Sequence, residues 1–172
     1  MTKKQLGKIE ELRIALNEDD CKDLYCEIAK YAVELGYLPS KTFNAHGVLI
    51  AFAFTKSNTG KKLLRINVPH PAEYNSGKGS VKMAYFAAEY SDFFHEKVRK
   101  NYESGNAACK RNCENCAGKY KYVYSDGKEI YRCAIHSLMD LSPFGVEHLD
   151  EIKRMMKMQD EYWVNSLRFN IT

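Results

Sequence analysis

The segment GVLIAFAFTKSNTGKKLLRINV, residues 47–68, decides the fold class of this chain. Its first part, GVLIAFAF, is a continuous apolar run that is too short for an independent helix and is typical of a buried strand. SNTGKK supplies turn-forming residues. LLRINV then alternates between two faces, with Leu64, Ile66 and Val68 on one and Leu63, Arg65 and Asn67 on the other. The segment therefore predicts two strands of an antiparallel sheet.

Helical patterns flank these strands. In DDCKDLYCEIAKYAVELGY, residues 19–37, an apolar stripe recurs at steps of three and four residues and consists of Leu24, Ile28, Tyr31 and Leu35. Asn17 or Asp19 is a candidate cap for this helix, and Gly36 is suited to end it. Cys21 and Cys26 lie on the helix about 140° apart, which disfavours a shared metal. We expect ordinary thiols there, with Cys26 the more buried.

The C-terminal half adds further elements. VKMAYFAA, residues 81–88, predicts a third strand, and SDFFHEKVRKNYES, residues 91–104, predicts a helix that Ser91 can cap. The closing segment from residue 146 to 167 is strongly amphipathic. Its expected inner side comprises Val146, Leu149, Ile152, Met156, Gln159 or Tyr162, Trp163 and Leu167.

The order of elements predicts an α+β fold, with helices packed on an antiparallel sheet. We expect an α+β body over residues 1–105, followed by a cysteine loop, a hairpin and a closing helix over 106–172. The boundary is soft, and the two parts are expected to form one integrated domain.

Composition favours a globular protein of the cytoplasm. The chain has 172 residues, of which 45% are hydrophobic and 28% charged, and a formal net charge of +4. No window reaches the roughly 18 apolar residues of a membrane helix, and the N-terminal residues lack the apolar region of a secretory signal. Six cysteines without such a signal predict reduced thiols or a metal site rather than disulfides.

A metal site is predicted by the cysteines of CKRNCENC, residues 109–116, together with Cys133. Cys113 and Cys116 form a Cys-x-x-Cys pair, which supplies two thiolates from one tight turn. Cys109 precedes them by four residues. The hairpin KYKYVYSDGKEIYRC, residues 119–133, should fold back at Asp126-Gly127 and return Cys133 toward Cys116.

Four thiolates close the coordination sphere of zinc, so the predicted site is structural rather than catalytic. We therefore predict structural zinc on Cys109, Cys113, Cys116 and Cys133, in a ribbon-like arrangement of loop and hairpin. His136 is a possible replacement for Cys109. An iron–sulfur cluster on the same cysteines is the alternative metal centre, and a loop without metal is the third possibility.

Two other functional patterns are weaker. Basic residues cluster around positions 97–121 and could contact nucleic acid; they are Lys97, Arg99, Lys100, Lys110, Arg111, Lys119 and Lys121. An enzyme site assembled in space could use the scattered residues His46, His70, Tyr74 and His95. The loop SGKGS, residues 76–80, has phosphate-friendly composition but lacks the spacing of a P-loop.

The order of motifs resembles a group of small uncharacterised bacterial proteins. The resemblance covers most of residues 35–165 and rests on LPSKTFNAHGVLIAF, VKMAYFAAEYSDFFHEKV, CxxxCxxC, YxYxxxDG, a further cysteine and MKMQDEYW. It implies that the four cysteines act together, and it implies no activity. The body is also similar, at the level of fold alone, to YdhG/YjbR-like domains, which place helices on one face of an antiparallel sheet.

These observations favour a non-enzymatic, metal-stabilised binding domain. Its expected partner is a small ligand or a protein, bound at the open face of the sheet or in a cleft beside the cysteine loop. No catalytic residue and no cofactor-binding residue other than the zinc ligands is predicted. A nucleic-acid-associated protein and an enzyme with a scattered polar site are the two alternatives.

Overall fold

The computed structural model of the chain describes residues 1–17, 19–70, 77–84, 91–103, 119–123, 126–133 and 138–169. The helices in these ranges are α1 (Lys3–Leu16), α2 (Lys22–Glu34), α3 (Asp92–Glu103) and α4 (Leu149–Phe169). The strands are β1 (Leu38–Phe43), β2 (Leu49–Thr55), β3 (Lys62–Asn67), β4 (Ser80–Met83), β5 (Lys119–Val123), β6 (Glu129–Cys133) and β7 (Met139–Asp140). The predicted α+β class is confirmed.

The central feature is a five-stranded antiparallel sheet in the order β1-β2-β3-β4-β7. The predicted hairpin between β2 and β3 lies in its middle, where Lys56 N–H donates to the Lys61 carbonyl at 3.1 Å. The edge strands β1 and β7 were not predicted. β1 contains Pro39, a residue that sheets tolerate at an edge, and β7 has only two residues.

One face of this sheet carries the hydrophobic core. The register places Leu64 between Phe54 and Met83, and Ile66 between Phe52 and Val81. Paired residues of neighbouring strands share a face, and these side chains are all buried. Helices α2 and α4 contact β3, and α1 contacts α2 and β1. The expected arrangement of helices on an antiparallel sheet is therefore present.

Helix α2 buries Ile28 as predicted and packs Leu24, Tyr31 and Leu35 against the core, but residues beside this stripe are buried more fully. Leu24, Tyr31 and Leu35 are only partly buried. The buried side chains are Tyr25, Cys26, Ile28, Ala29, Ala32 and Val33. The difference arises because α1 and α4 both contact α2, so small residues that periodicity undervalues face close neighbours. The burial of Cys26 is confirmed.

The inner side of the closing helix also differs in part. Ile152, Met156 and Trp163 are buried as predicted. Val146 is wrong: it lies in a 3-10 helix, Val146–His148, ahead of α4 and is 73% exposed. Tyr162 is exposed, whereas Gln159 has no exposed surface at all.

A polar junction ties the β2–β3 loop to α4. Lys56 Nζ lies 2.7 and 3.0 Å from the two carboxylate oxygens of Asp160. Tyr37 Oη donates to Asp160 Oδ1 at 2.8 Å. The Lys56 and Asp160 side chains are only 17% and 14% exposed. We refer to these three residues as the Lys56 junction.

The predicted hairpin at Asp126-Gly127 is confirmed as the antiparallel pair β5–β6. Gly127 has φ of +81°, a conformation that glycine adopts without strain. Asp126 Oδ2 accepts a hydrogen bond from Arg99 of α3 at 3.1 Å, which links the hairpin to that helix. Across the part of the chain that the structure describes, no helix is long and apolar enough to span a membrane.

Candidate ligand-binding cleft

A cleft of about 580 Å³ lies where the turn between α1 and α2 meets the start of β4 and the end of β7. We call it the Asp19 cleft. Three chain segments form its walls, with Tyr25 and Pro69 between them: residues 16, 17 and 19–21, residues 77–80, and residues 140, 142 and 143. Polar groups from three separate segments therefore converge on one concave surface, which is the usual form of a small-molecule site.

Asp19 holds two of these segments together. Its Oδ1 accepts a hydrogen bond from the Cys21 main chain at 2.8 Å, and its Oδ2 accepts one from the Gly79 main chain at 2.6 Å. A Cβ atom at Gly79 would lie 2.9 Å from Asp19 Oδ2 and 3.1 Å from Tyr25. Glycine is needed there because the two segments approach so closely.

The same bond changes the interpretation of SGKGS. Such a loop binds phosphate when its main-chain N–H groups are free to donate to an anion. Here the Gly79 N–H donates to the protein's own carboxylate. Asp19 thus occupies the position at this amide that an external phosphate would need, and its charge disfavours a second anion beside it.

Tyr25 connects the cleft to the core. Its hydroxyl donates to the Gly79 carbonyl at 3.3 Å and also hydrogen-bonds Ser142. Ser142 Oγ in turn accepts a hydrogen bond from the Val81 main chain at 2.9 Å. Burial, as the largest cause, raises the pKa of Tyr25 to about 12, so the phenol is a neutral donor at physiological pH.

The cleft carries an excess of negative charge. Asp19, Asp20 and Asp140 line it, and Lys78 is the basic residue among its lining side chains. Asp140 Oδ1 accepts from the Ser142 main chain at 3.0 Å, and Asp20 lies exposed at the rim. Among the residues that the structure describes, no group of three His, Cys, Asp or Glu side chains could hold a metal ion. The arrangement suits a small organic cation or hydrogen-bond donor.

The predicted metal ligands lie largely outside the described residues. Cys109, Cys113, Cys116 and the replacement ligand His136 fall in segments of which the structure says nothing. Cys133 is the last residue of β6, opposite Lys119 of β5. The zinc assignment and its ribbon-like loop therefore stay predictions.

The scattered histidines of the enzyme hypothesis occupy different places. His46 is exposed in the turn that joins β1 to β2, and His70 follows β3. His95 is buried on α3, which contacts β7 at the opposite edge of the sheet from β1. Strands about 4.8 Å apart put the edges of a five-stranded sheet roughly 19 Å from each other. Tyr74 lies outside the described residues.

The basic surface around residues 97–121 is described only in part. On α3, Lys100 pairs with Glu96 at 3.6 Å and Arg99 pairs with Asp126 at 3.1 Å. Lys97 Nζ lies 4.9 Å from the centre of the Phe93 ring. These two ion pairs partly neutralise the positive charges that would otherwise interact with a phosphate backbone. Lys110 and Arg111 lie outside the described residues.

The sequence did not identify the residues that build the Asp19 cleft. Asp19 was considered only as a helix cap, and Asp140 and Ser142 attracted no prediction. The available signal was the glycine pair around Lys78, but only the fold brings residues sixty positions apart, such as Asp19 and Gly79, into contact. Comparisons with protein-family models, with curated proteins and with solved structures found no match to this chain.

Proposed function

We propose that the chain is a binding domain for a small, positively charged organic ligand, held in the Asp19 cleft. The observation that carries the proposal is a concave site in which three carboxylates from two separate segments meet one lysine. Two of these carboxylates are already oriented by main-chain hydrogen bonds. Preoriented acceptors lower the entropic cost of binding a donor. A protein presenting a lysine or arginine side chain to the same cleft is the alternative partner.

A test uses 1,4-diaminobutane as the probe and 1,4-butanediol as its uncharged match. The diamine should shift the amide NMR signals of Gly77, Gly79 and Ser80, and the diol should not. It should also slow alkylation of Cys21, which lines the cleft and is partly exposed. Buried Cys26 provides an internal reference in the same peptide map.

Asp20→Asn should weaken diamine binding by about three- to tenfold, because a rim charge contributes roughly 1 kcal/mol. Asp23→Asn is the matched control, since Asp23 is exposed on α2 and does not line the cleft. Equal shifts with diamine and diol, or binding that is unchanged in Asp20→Asn, would exclude a charge-selective site.

We also propose structural zinc bound by Cys109, Cys113, Cys116 and Cys133. The support is the hairpin register, because Cys133 lies opposite Lys119, which follows Cys116 by three residues. Three residues span at most about 11 Å, and opposite residues of an antiparallel pair are about 5 Å apart. The register therefore supports a shared ion, which would stabilise a loop poor in apolar residues.

Metal analysis of the purified protein tests this proposal. One zinc per chain without visible colour is expected, and Cys116→Ser should lose the metal and lower the melting temperature. Cys21→Ser removes a thiol outside the set and should retain the metal. Brown absorbance would favour the iron–sulfur alternative, and unchanged metal content in Cys116→Ser would show that Cys116 is not a ligand.

A further inference from the structure

The sheet face opposite the core is polar and carries two rows of residues across the strands. The first row runs Ser40, Ala53, Arg65, Lys82 and Asp140, and the second runs Thr42, Ala51, Asn67 and Ser80. We call this surface the Arg65 face. Ala51, Ala53 and Asn67 are at most 6% exposed, so the centre of the face is shielded from bulk water.

Arg65 is held in one orientation on this face. Its Nε donates to Asn67 Oδ1 at 2.8 Å, and Asn67 Nδ2 donates to Ser80 Oγ at 2.8 Å. These two hydrogen bonds use the Nε–H of the guanidinium and both polar atoms of the Asn67 side chain. The two Nη groups form the planar edge that recognises carboxylate or phosphate, and no hydrogen bond among the described residues uses them.

No described carboxylate pairs with Arg65. Asp140, the acidic residue of the same row, is 3.9 Å from Lys82 Nζ and accepts from the Ser142 main chain. Lys82 is the cross-strand partner of Arg65, and like charges placed directly opposite each other in a sheet are unfavourable. Burial lowers the pKa of Arg65, which reflects the cost of removing its charge from water without a partner.

A third cation, Lys97, adds to the excess of positive charge formed by Arg65 and Lys82. Lys97 of α3 is partly buried, and burial is the main cause that lowers its pKa, while Asp140 opposes that effect. Lys82 and Lys97 therefore both interact with Asp140, and Arg65 pairs with no carboxylate of the described residues. A partly buried arginine without a counter-ion is costly, and an anion from outside the chain would remove that cost.

We propose that the Arg65 face binds an oxyanion, the carboxylate or phosphate of a small molecule, through the Nη edge of Arg65. Lys82 supplies a second positive charge from the neighbouring strand, and the Ser80 hydroxyl, which accepts from Asn67, keeps its own proton to donate. The site is distinct in charge from the Asp19 cleft, although Ser80 and Asp140 border both. It does not depend on an amine binding in that cleft.

The test measures thermal unfolding in sodium phosphate, in sodium acetate and in sodium chloride at equal ionic strength. Phosphate or acetate should raise the melting temperature above the chloride value and shift the Arg65 Nε–H signal in NMR spectra. A response to phosphate alone assigns a phosphate ligand, and a response to acetate alone assigns a carboxylate ligand. Equal melting temperatures in all three salts, with no shift of that signal, would overturn the proposal.

Variants localise the response. Arg65→Met should abolish it and, in chloride, lower the melting temperature by no more than a few degrees, because Asn67 Oδ1 loses a donor while the desolvated charge is removed. Lys62→Met, which removes an exposed lysine from the same strand, should preserve the response. If Arg65→Met does not fold, Lys82→Gln should still reduce anion affinity several-fold. An anion response that survives in Arg65→Met or is unchanged in Lys82→Gln would show that the ion binds elsewhere. Arg65→Met should leave diamine binding unchanged, because Arg65 does not line the Asp19 cleft.

Discussion

The β2–β3 hairpin carries two partly buried cations in opposite situations. Lys56, in the loop, lies within 3.0 Å of both oxygens of Asp160 and close to the ring of Tyr37. Arg65, in β3, donates to an asparagine and pairs with no described carboxylate. Both charges have lost part of their water. Among the described residues, a carboxylate compensates this loss at Lys56 and none does so at Arg65.

This difference distinguishes Lys56, which we assign a structural role, from Arg65, which we assign to ligand binding. A paired cation joins elements, and the Lys56 junction joins the hairpin to α4 and to the start of β1. Arg65 pairs with no carboxylate of the described residues and contributes a hydrogen bond to Asn67 instead of an ion pair. Removal of Lys56 should therefore lower the free energy of unfolding more than removal of Arg65.

The largest expected effect is at the Lys56 junction. Lys56→Met should lower the free energy of unfolding by about 3 kcal/mol, because the largely buried Asp160 carboxylate would lose its cationic partner and retain the Tyr37 hydroxyl as a described donor. Denaturant unfolding monitored by circular dichroism measures this change. A loss below about 1 kcal/mol would indicate that water solvates Asp160 in place of the lysine. Lys56 and Arg65 would then differ in the geometry of their contacts and not in their contribution to stability.

A second variant checks the cause of that loss. Lys56→Met combined with Asp160→Leu removes both charges, so the double variant should recover a large part of the stability lost in the single one. A strictly additive loss would point to packing around Tyr37 and Trp163 instead of charge.

The fold could be predicted from residues 47–68 because alternation there directly reports the two faces of a sheet. Arg65 and Asn67 were correctly separated from Leu64 and Ile66, and the structure adds that Asn67 is buried. Leu63 is buried as well, because a register shift between Phe54 and Thr55 leaves it outside the simple alternation. Irregularities of this kind depend on pairing between strands, which periodicity does not contain.

The candidate sites were harder to predict for a related reason. Each depends on contacts between segments distant in sequence: Asp19 with Gly79, and Asn67 with Ser80. Individually these are ordinary turn and strand residues. Cysteine spacing is a local signal, which is why the sequence is most informative about the metal and least about the ligand.

The second largest expected change in the free energy of unfolding concerns Tyr25, a buried polar side chain that has hydrogen-bond partners. Its pKa is raised from 10.0 to about 12, mainly by burial. The stability that it contributes is therefore complete below about pH 10 and is lost as the pH rises through 12. The difference in unfolding free energy between the wild type and Tyr25→Phe should shrink by about 2 kcal/mol over this interval.

Tyr25→Phe is the required comparison because burial also raises the pKa of Tyr37 and of Cys26. Those groups destabilise both proteins in alkali and cancel in the difference. A difference that stays constant between pH 9 and pH 12 would contradict a neutral, hydrogen-bonded Tyr25.

A smaller effect, of opposite sign, is expected at Gln159. Both polar atoms of its side chain are buried and have no hydrogen-bond partner among the described residues, so it resembles Arg65 rather than Lys56. Gln159→Met keeps a similar shape and removes the desolvated amide, which should raise the free energy of unfolding by about 1 kcal/mol. For a chain of this size the melting temperature would rise by roughly 2–4 °C. A decrease would mean that the amide has a partner in solution.

The smallest expected effect tests whether removing any arginine changes the free energy of unfolding or the response to anions. Arg13 pairs with Asp23 at 3.3 Å, and these side chains are 51% and 82% exposed. Water already solvates both charges, so Arg13→Gln should change the free energy of unfolding by less than about 0.5 kcal/mol. The variant should also leave the melting-temperature response to phosphate or acetate unchanged. If Arg13→Gln weakened that response as Arg65→Met is expected to, the anion would be reporting the net charge of the surface rather than a site on the Arg65 face.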